Sequence, residues 1–376
     1  MPKRPLRIAM VISSLSAGGA ERVLVLLSKG LAALGHRVSV VTVFGEEDDF
    51  YTLPEGVDRV ALDLGKTTRT PVEKITANAG RLSSLRRALR QIGPDVVISF
   101  MPEVNVLTLL AGLRSKTPVI VTEHADPRKE WTNRTWKGLR RLAYRLASRV
   151  VSVSEGVDAY FSWLPKARRA VIPNPVSFAE LDAPAGEPMA LAWPRAVAAM
   201  GRLEPEKGFD LLIDAFARLA ADFPDWGLVI LGEGSQRGRL ESLAAGHGLR
   251  ERVELPGVLE DPFSTLERAD LFVLSSRSEG FGNALVEAMA CGLPVIATEC
   301  WHTPPGIVHH GTDGMLVPPE DIDALAAAMA QLMADDDQRR RLASEAVKAA
   351  RRFDLDRISQ TWDELLEAVA RSSQSS

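Results

Sequence analysis

Leu271-Phe272-Val273-Leu274-Ser275-Ser276-Arg277-Ser278-Glu279-Gly280-Phe281-Gly282-Asn283-Ala284-Leu285-Val286-Glu287-Ala288-Met289-Ala290-Cys291-Gly292-Leu293-Pro294-Val295-Ile296-Ala297 reads as strand, glycine-rich turn, helix and second strand. Short apolar runs flank the turn and the helix, and Gly292 is placed to end the helix. Two strands joined by a helix imply a parallel pair. The backbone N–H groups around Gly280, Phe281, Gly282, Asn283 and Ala284 meet at a helix N-terminus, which favours an anion. Glu279 lies in the turn and Glu287 one turn inside the helix, so both can face one cleft. A carboxylate accepts sugar hydroxyl hydrogens in pairs. The plainer reading of Glu287 is an acid favoured by the helix dipole.

Moving toward the N-terminus, Gly201-Arg202-Leu203-Glu204-Pro205-Glu206-Lys207-Gly208 stands between the strand Ala196 to Met200 and the helix Asp210 to Phe223. Ligands of parallel sheets bind at the carboxyl ends of strands. There Arg202 offers a planar fork and Lys207 a point charge, and the two can converge on one diphosphate. Solvated loop charges are the alternative. Gly232 and Gly234 follow the strand Leu228 to Leu231, with Gly238 beyond. This spacing is not the dinucleotide fingerprint, and Glu233 disfavours a pyrophosphate, so a nicotinamide enzyme with Glu254 on a ribose is a weak rival.

Proline-rich sequence marks residues 173–194 as a linker. Before it, 1–172 repeats the alternation, with strands at Ile8 to Ile12, Val38 to Val43, Val96 to Ser99, Val119 to Thr122 and Val150 to Val153. Gly18 and Gly19 sit where the first strand feeds the helix Glu21 to Leu34, a second place for a phosphate or simply a tight turn. Thr70, Pro71 and Glu73 form a helix start with a capping box. His124 follows a strand directly, a position that favours function over a satisfied structural histidine. Residues 195–351 form the second domain. A helix over 352–371 packs back toward the first domain, and 372–376 is a disordered tail.

The set Glu279 to Glu287, Gly201 to Gly208, Gly18-Gly19 and Thr122-Glu123-His124 resembles the retaining GT-B glycosyltransferases of family four, in family order over nearly the whole chain. The resemblance implies α/β architecture with two Rossmann-like domains facing across a cleft. It implies Arg202 and Lys207 on the donor diphosphate, Glu279 on the donor sugar, Glu287 on the ribose and His124 near the anomeric centre. It also implies a nucleotide-sugar donor, with UDP expected, a hydroxyl of a glycan or polyprenyl-diphosphate-linked glycan as acceptor, and no metal or other cofactor. The family's usual Gly-Pro-Arg-Glu is replaced by Thr303-Pro304-Pro305-Gly306, with Trp301 and His302 before it, so the donor sugar stays open.

A content of 46% hydrophobic and 25% charged residues is that of a globular chain, and 376 residues suit two domains. No apolar run reaches membrane-spanning length. Arg7 breaks the first apolar run, which reads as a strand rather than a signal peptide. Cys291 and Cys300 make no disulfide framework and imply a reducing, cytoplasmic setting. The net charge of −4 divides into +11 up to Pro175 and −15 after it, which expects an anionic partner for the first half. Its arginines recur on two helices. Arg86, Arg87 and Arg90 flank a buried stripe of Leu82, Leu85 and Leu89. Arg134, Lys137, Arg141 and Arg145 run beside Trp136, Leu139, Ala143 and Leu146, with Trp131 and Tyr144 nearby. We read them as an acceptor and anionic-membrane face of a peripheral enzyme on the inner side of the cytoplasmic membrane. Two rivals stand beside this reading. A sugar-nucleotide epimerase or hydrolase would need acids such as Glu103, Glu123 or Asp126. A nucleic-acid-binding protein would need a motif the sequence does not contain.

Overall fold

The computed structural model describes residues 4–47, 49–65, 71–113, 115–128, 134–181, 189–300 and 304–374. It divides the chain into two units, Met1–Pro175 with Leu355–Ser376, and Val176–Asp354. Among the described residues the first unit has seven parallel strands: β1 (Arg7–Ile12), β2 (Arg37–Thr42), β3 (Asp58–Ala61), β4 (Val96–Ser99), β5 (Val119–Glu123), β6 (Arg149–Ser152) and β7 (Arg169–Val171), ordered β3-β2-β1-β4-β5-β6-β7. The second has six: β8 (Arg195–Met200), β9 (Trp226–Leu231), β10 (Val253–Gly257), β11 (Leu271–Leu274), β12 (Val295–Thr298) and β13 (Met315–Val317), ordered β10-β9-β8-β11-β12-β13. In each sheet the chain order reverses beside the first strand, at β1/β4 and at β8/β11. That reversal opens the crevice where such sheets bind ligands.

The central strands are apolar throughout because helices cover both faces. Ile8 to Ile12, Val96 to Ser99 and Leu271 to Leu274 are all buried. In the first unit Ile8, Met10, Ile12, Leu24, Leu27, Val40 and Ile98 form one cluster with Ile358, Trp362, Leu366 and Val369 of the Leu355–Gln374 helix. A Cβ on Gly30 would lie 1.9 Å from Ser359 Oγ, so the C-terminal helix and the Gly19–Ala33 helix cross in close contact. His36 fixes the same crossing: Nδ1 accepts from Leu6 N at 3.1 Å, and Nε2 lies 3.0 Å from Asp363 Oδ1. The C-terminal helix runs on to Gln374, further than composition predicts. Ser372 and Ser373 extend it by bonding back to the Val369 carbonyl at 2.8 and 3.1 Å.

In the second unit Leu203, Phe209, Leu212, Phe216, Leu228, Ile230 and Met329 gather on one face of the sheet. Val176–Leu181, expected within a linker, is packed on this unit. Val176 N donates to Phe353 O at 2.9 Å, and Arg351 stacks on Phe178 at 3.8 Å. Thr70, Trp131, Trp301, His302 and Thr303 lie outside the described residues, as do the side chains of Glu73 and Arg134.

Candidate functional site

The second unit's reversal point brings several charged side chains together. Gly208 ends the loop after β8 at φ 63, and a Cβ there would lie 2.2 Å from the Ser275 carbonyl. The missing side chain lets this loop touch the end of β11. Ser275 Oγ donates to Lys207 O at 3.0 Å. Lys207 Nζ then reaches Glu279 Oε1 at 2.6 Å, and the same oxygen accepts from Ser276 Oγ at 2.6 Å. Thr298, at the end of β12, holds the Ser276 carbonyl through its hydroxyl at 2.5 Å. Lys207 and Glu279 are largely buried, with side chains 19% and 9% exposed, so removing either partner alone would leave the other charge largely buried and uncompensated.

A glycine shapes the turn that leads into the next helix. Gly282 adopts φ 100 and precedes the Asn283–Ala290 helix, a conformation that an L-residue adopts only at a cost. Phe281 is buried edge-on against Phe353 at 5.3 Å, which anchors the turn. Glu287 is buried in the second turn of the helix. Behind the pair, burial and then the Glu279 charge push the Cys300 thiol up to about 12, which removes it as a nucleophile.

Lys207 is drawn into this cluster and Arg202 is not. Arg202 Nη2 donates to Glu206 Oε1 at 3.2 Å, and its side chain is 66% exposed. The glycines after β9 have a structural task. A Cβ on Gly232 would lie 1.9 Å from Gly201 O, and one on Gly234 2.5 Å from Leu203 O. Ser235 donates through Oγ and N to Glu204 at 2.6 and 3.1 Å. The turn therefore buttresses the Gly201–Lys207 loop, and Glu254 lies in the edge strand β10.

In the first unit Gly18 precedes the Gly19–Ala33 helix, and a Cβ there would lie 2.2 Å from Glu21 Oε2. The Glu21 carboxylate thus lies against the helix start, where an anion is favoured. His124 follows β5 with its ring half-buried. Thr122 Oγ1 donates to Ser99 O at 2.9 Å, so at 3.0 Å it accepts from His124 Nε2–H, which leaves the lone pair on Nδ1. Phe100 stacks on the ring at 5.4 Å. Desolvation, partly offset by the Asn174 side chain, lowers the imidazole to about 4, so it is neutral near pH 7.

The neighbouring acids are structurally engaged. Glu123 is buried, accepts from Tyr144 Oη, and has Arg140 Nη1 3.7 Å from its other oxygen. Burial and then the Glu123 charge hold the Tyr144 phenol well above its ordinary range. Asp126 Oδ1 accepts from Arg128 N and Nε at 2.9 and 3.2 Å, and Glu103 is exposed.

Arg140 corrects the amphipathic reading of its helix. It turns inward to Glu123 and the Tyr160 ring, so the Arg134–Ala143 helix and the turn after it bury Arg140, Ala143 and Tyr144. Leu139, Leu142 and Leu146 are instead 37%, 64% and 51% exposed. Lys137 is half-buried and Arg145 exposed, while Arg141 stacks on Trp163 at 5.1 Å. On the Pro71–Ile92 helix Arg87 and Arg90 are exposed. Arg86 is tied to the Leu110 and Ala111 carbonyls at 3.1 and 3.2 Å, and only Leu85 of the three leucines is fully buried.

Two parallel α/β units, with a basic loop and a glycine-headed helix at the second unit's reversal point, define the class: GT-B glycosyltransferases. The chain belongs to that group. Residues 17–180 match Glycosyltransferase Family 4 and residues 193–349 match Glycosyl transferases group 1. It is 27% identical to the GalNAc-alpha-(1->4)-GalNAc-alpha-(1->3)-diNAcBac-PP-undecaprenol alpha-1,4-N-acetyl-D-galactosaminyltransferase of Campylobacter jejuni, over 97% of this chain and 99% of that one. It is 32% identical to the exopolysaccharide phosphotransferase SCO2592 of Streptomyces coelicolor over 94% of this chain, and spans 40% of that longer protein. The fold superposes on Anabaena Alr3699/HepE, solved in complex with UDP-glucose, with a TM-score of 0.77 at 22% identity over 96% and 99% of the two chains. The chain is accordingly an enzyme of the hexosyltransferase type.

Proposed function

We propose that the protein transfers a sugar from a nucleoside-diphosphate sugar, with UDP as the nucleotide, to a hydroxyl of a polyprenyl-diphosphate-linked glycan, with retention at the anomeric carbon. The observation that carries this reading is Lys207 Nζ at 2.6 Å from Glu279 Oε1, set between two strand-end loops beside the Gly282 helix start. An incoming diphosphate exchanges for the carboxylate on Lys207, and the helix N–H groups take further charge. Released from the lysine, Glu279 is free to accept donor-sugar hydroxyls, while Ser276 keeps its carboxylate oriented. Glu287 serves the ribose, and Arg202 adds an outer phosphate contact. Stabilising the leaving diphosphate and an oxocarbenium-like transition state supplies most of the catalysis. His124 takes part as a neutral ring rather than as a cation. These charges make a metal unnecessary in this account.

The Campylobacter relative's name supplies the acceptor class, a glycan on PP-undecaprenol. Such an acceptor lies at a membrane, and Leu139, Leu142 and Leu146 beside Arg141 and Arg145 offer apolar contact and charge together. No helix among the described residues is long and apolar enough to cross a membrane, so the proposed attachment is peripheral. Incubation with UDP-, GDP- and ADP-sugars, with and without chelator, and measurement of released nucleoside diphosphate test the donor. UDP release that survives chelation is expected; an absolute magnesium requirement contradicts the account.

A further inference from the structure

The Lys207–Glu279 contact joins two loops, and a diphosphate that takes Lys207 removes the contact. Arg277 holds the same loops by other means. Its backbone N donates to Glu206 O at 2.8 Å, and Nη1 donates to Pro205 O at 2.8 Å. Nη1 and Nη2 reach the two oxygens of Asp210 at 2.8 and 2.9 Å, a parallel fork that lysine cannot reproduce. Nε donates to Glu320 Oε1 at 3.1 Å, in the turn after β13. Burial alone would lift the Asp210 carboxyl, but the hydrogen bonds and charge of Arg277 hold it below its usual range. The guanidinium is thus committed on two edges and opposed by two carboxylates, so it is poorly placed to serve as a diphosphate ligand.

We infer that Arg277 and Asp210 are positioning residues for donor binding. Together they clamp Pro205–Asp210 to the Ser275–Glu279 turn and fix where Lys207 Nζ stands, without touching the donor. The inference rests on Lys207 being the diphosphate ligand proposed above. A preorganised cation loses less freedom when the ligand arrives, and that saving appears as affinity.

Calorimetry on the full chain with UDP and UMP tests this, using Asp210→Asn, Arg277→Lys and Lys207→Ala. Asp210→Asn is decisive because two mechanisms predict opposite signs. If only the field at the diphosphate mattered, removing a nearby carboxylate would tighten UDP. The clamp predicts UDP weakened about tenfold in both Asp210→Asn and Arg277→Lys, the equivalent of ~1.4 kcal/mol, with UMP little changed. Unchanged or tighter UDP binding in Asp210→Asn overturns the clamp, as does an equal loss for UDP and UMP that follows a lowered ligand-free Tm. The lysine variant separates the two claims. If Lys207→Ala loses UDP while the clamp variants bind normally, the clamp alone is wrong; if Lys207→Ala binds UDP normally, the donor site falls and the clamp with it.

Discussion

Both units are parallel sheets with helices on each face, yet the side chains singled out at their strand ends differ in charge. In the second unit the cations at the strand ends are paired with carboxylates: Lys207 with Glu279, Arg277 with Asp210, Arg202 with Glu206. In the first, the strand-end group is a desolvated, neutral histidine, and exposed arginines lie on helices beside exposed leucines. One fold therefore carries paired charges at the strand ends of one half and an exposed basic, apolar surface in the other. Such a fold fixes where a site sits, while its chemistry follows from the loops.

The comparison breaks most readily at the two glutamates. Glu279→Gln should lower kcat by about 100-fold, ~2.7 kcal/mol, because a donor-sugar contact tightens as charge develops. Glu287→Gln should instead raise the donor KM with kcat nearly kept. Identical kinetic profiles would merge the two roles and defeat the assignment.

His124 sharpens the contrast through pH. Its folded pKa of about 4 lies below the unfolded value of 6.5, so the unfolded chain binds the extra proton between them. The stability contribution is full above pH 6.5 and is lost as pH falls toward 4, by about 3 kcal/mol. Urea unfolding of wild type and His124→Gln at pH 7.5 and 4.5 checks this, and the variant should lose less on acidification. Equal losses would show that the ring titrates normally.

Gly208→Ala is next in size. At φ 63, with the Ser275 carbonyl in the path of a Cβ, it should destabilise by about 1–3 kcal/mol and weaken UDP, as thermal melts with and without UDP will show. The smallest effect belongs to the first unit. Exposed basic residues contribute about 1 kcal/mol each at an anionic surface. Arg145→Glu and Leu142→Ser should therefore each reduce flotation with anionic vesicles several-fold and leave neutral vesicles unaffected. Equal, negligible flotation of wild type with both lipids would remove the membrane face.

The sequence disclosed the sheet interiors and hid their margins. Strands β3, β7, β10 and β13 escape an apolar-run reading, and all four are sheet edges. An edge strand packs against one neighbour only, and its residues need not be uniformly apolar: β3 and β7 are half-buried at most. Lys207, Glu279 and the glycine turn can be singled out from residue type alone, and the structure brings Lys207 and Glu279 together. Arg277 and Asp210 were not singled out, since a clamp between residues 67 positions apart leaves no periodic trace. Arg140 was not singled out either: it turns inward to Glu123, a partner distant in sequence, so nothing in the local pattern marks it.

The central claim is that the second unit holds a diphosphate on Lys207. Titration of UDP and UMP into the wild-type protein and Lys207→Ala measures it directly. The account predicts that UDP binds at least about tenfold more tightly than UMP to wild type, and that Lys207→Ala sharply reduces this preference. Equal affinities for UDP and UMP in the wild type, or an undiminished UDP preference in Lys207→Ala, would contradict it.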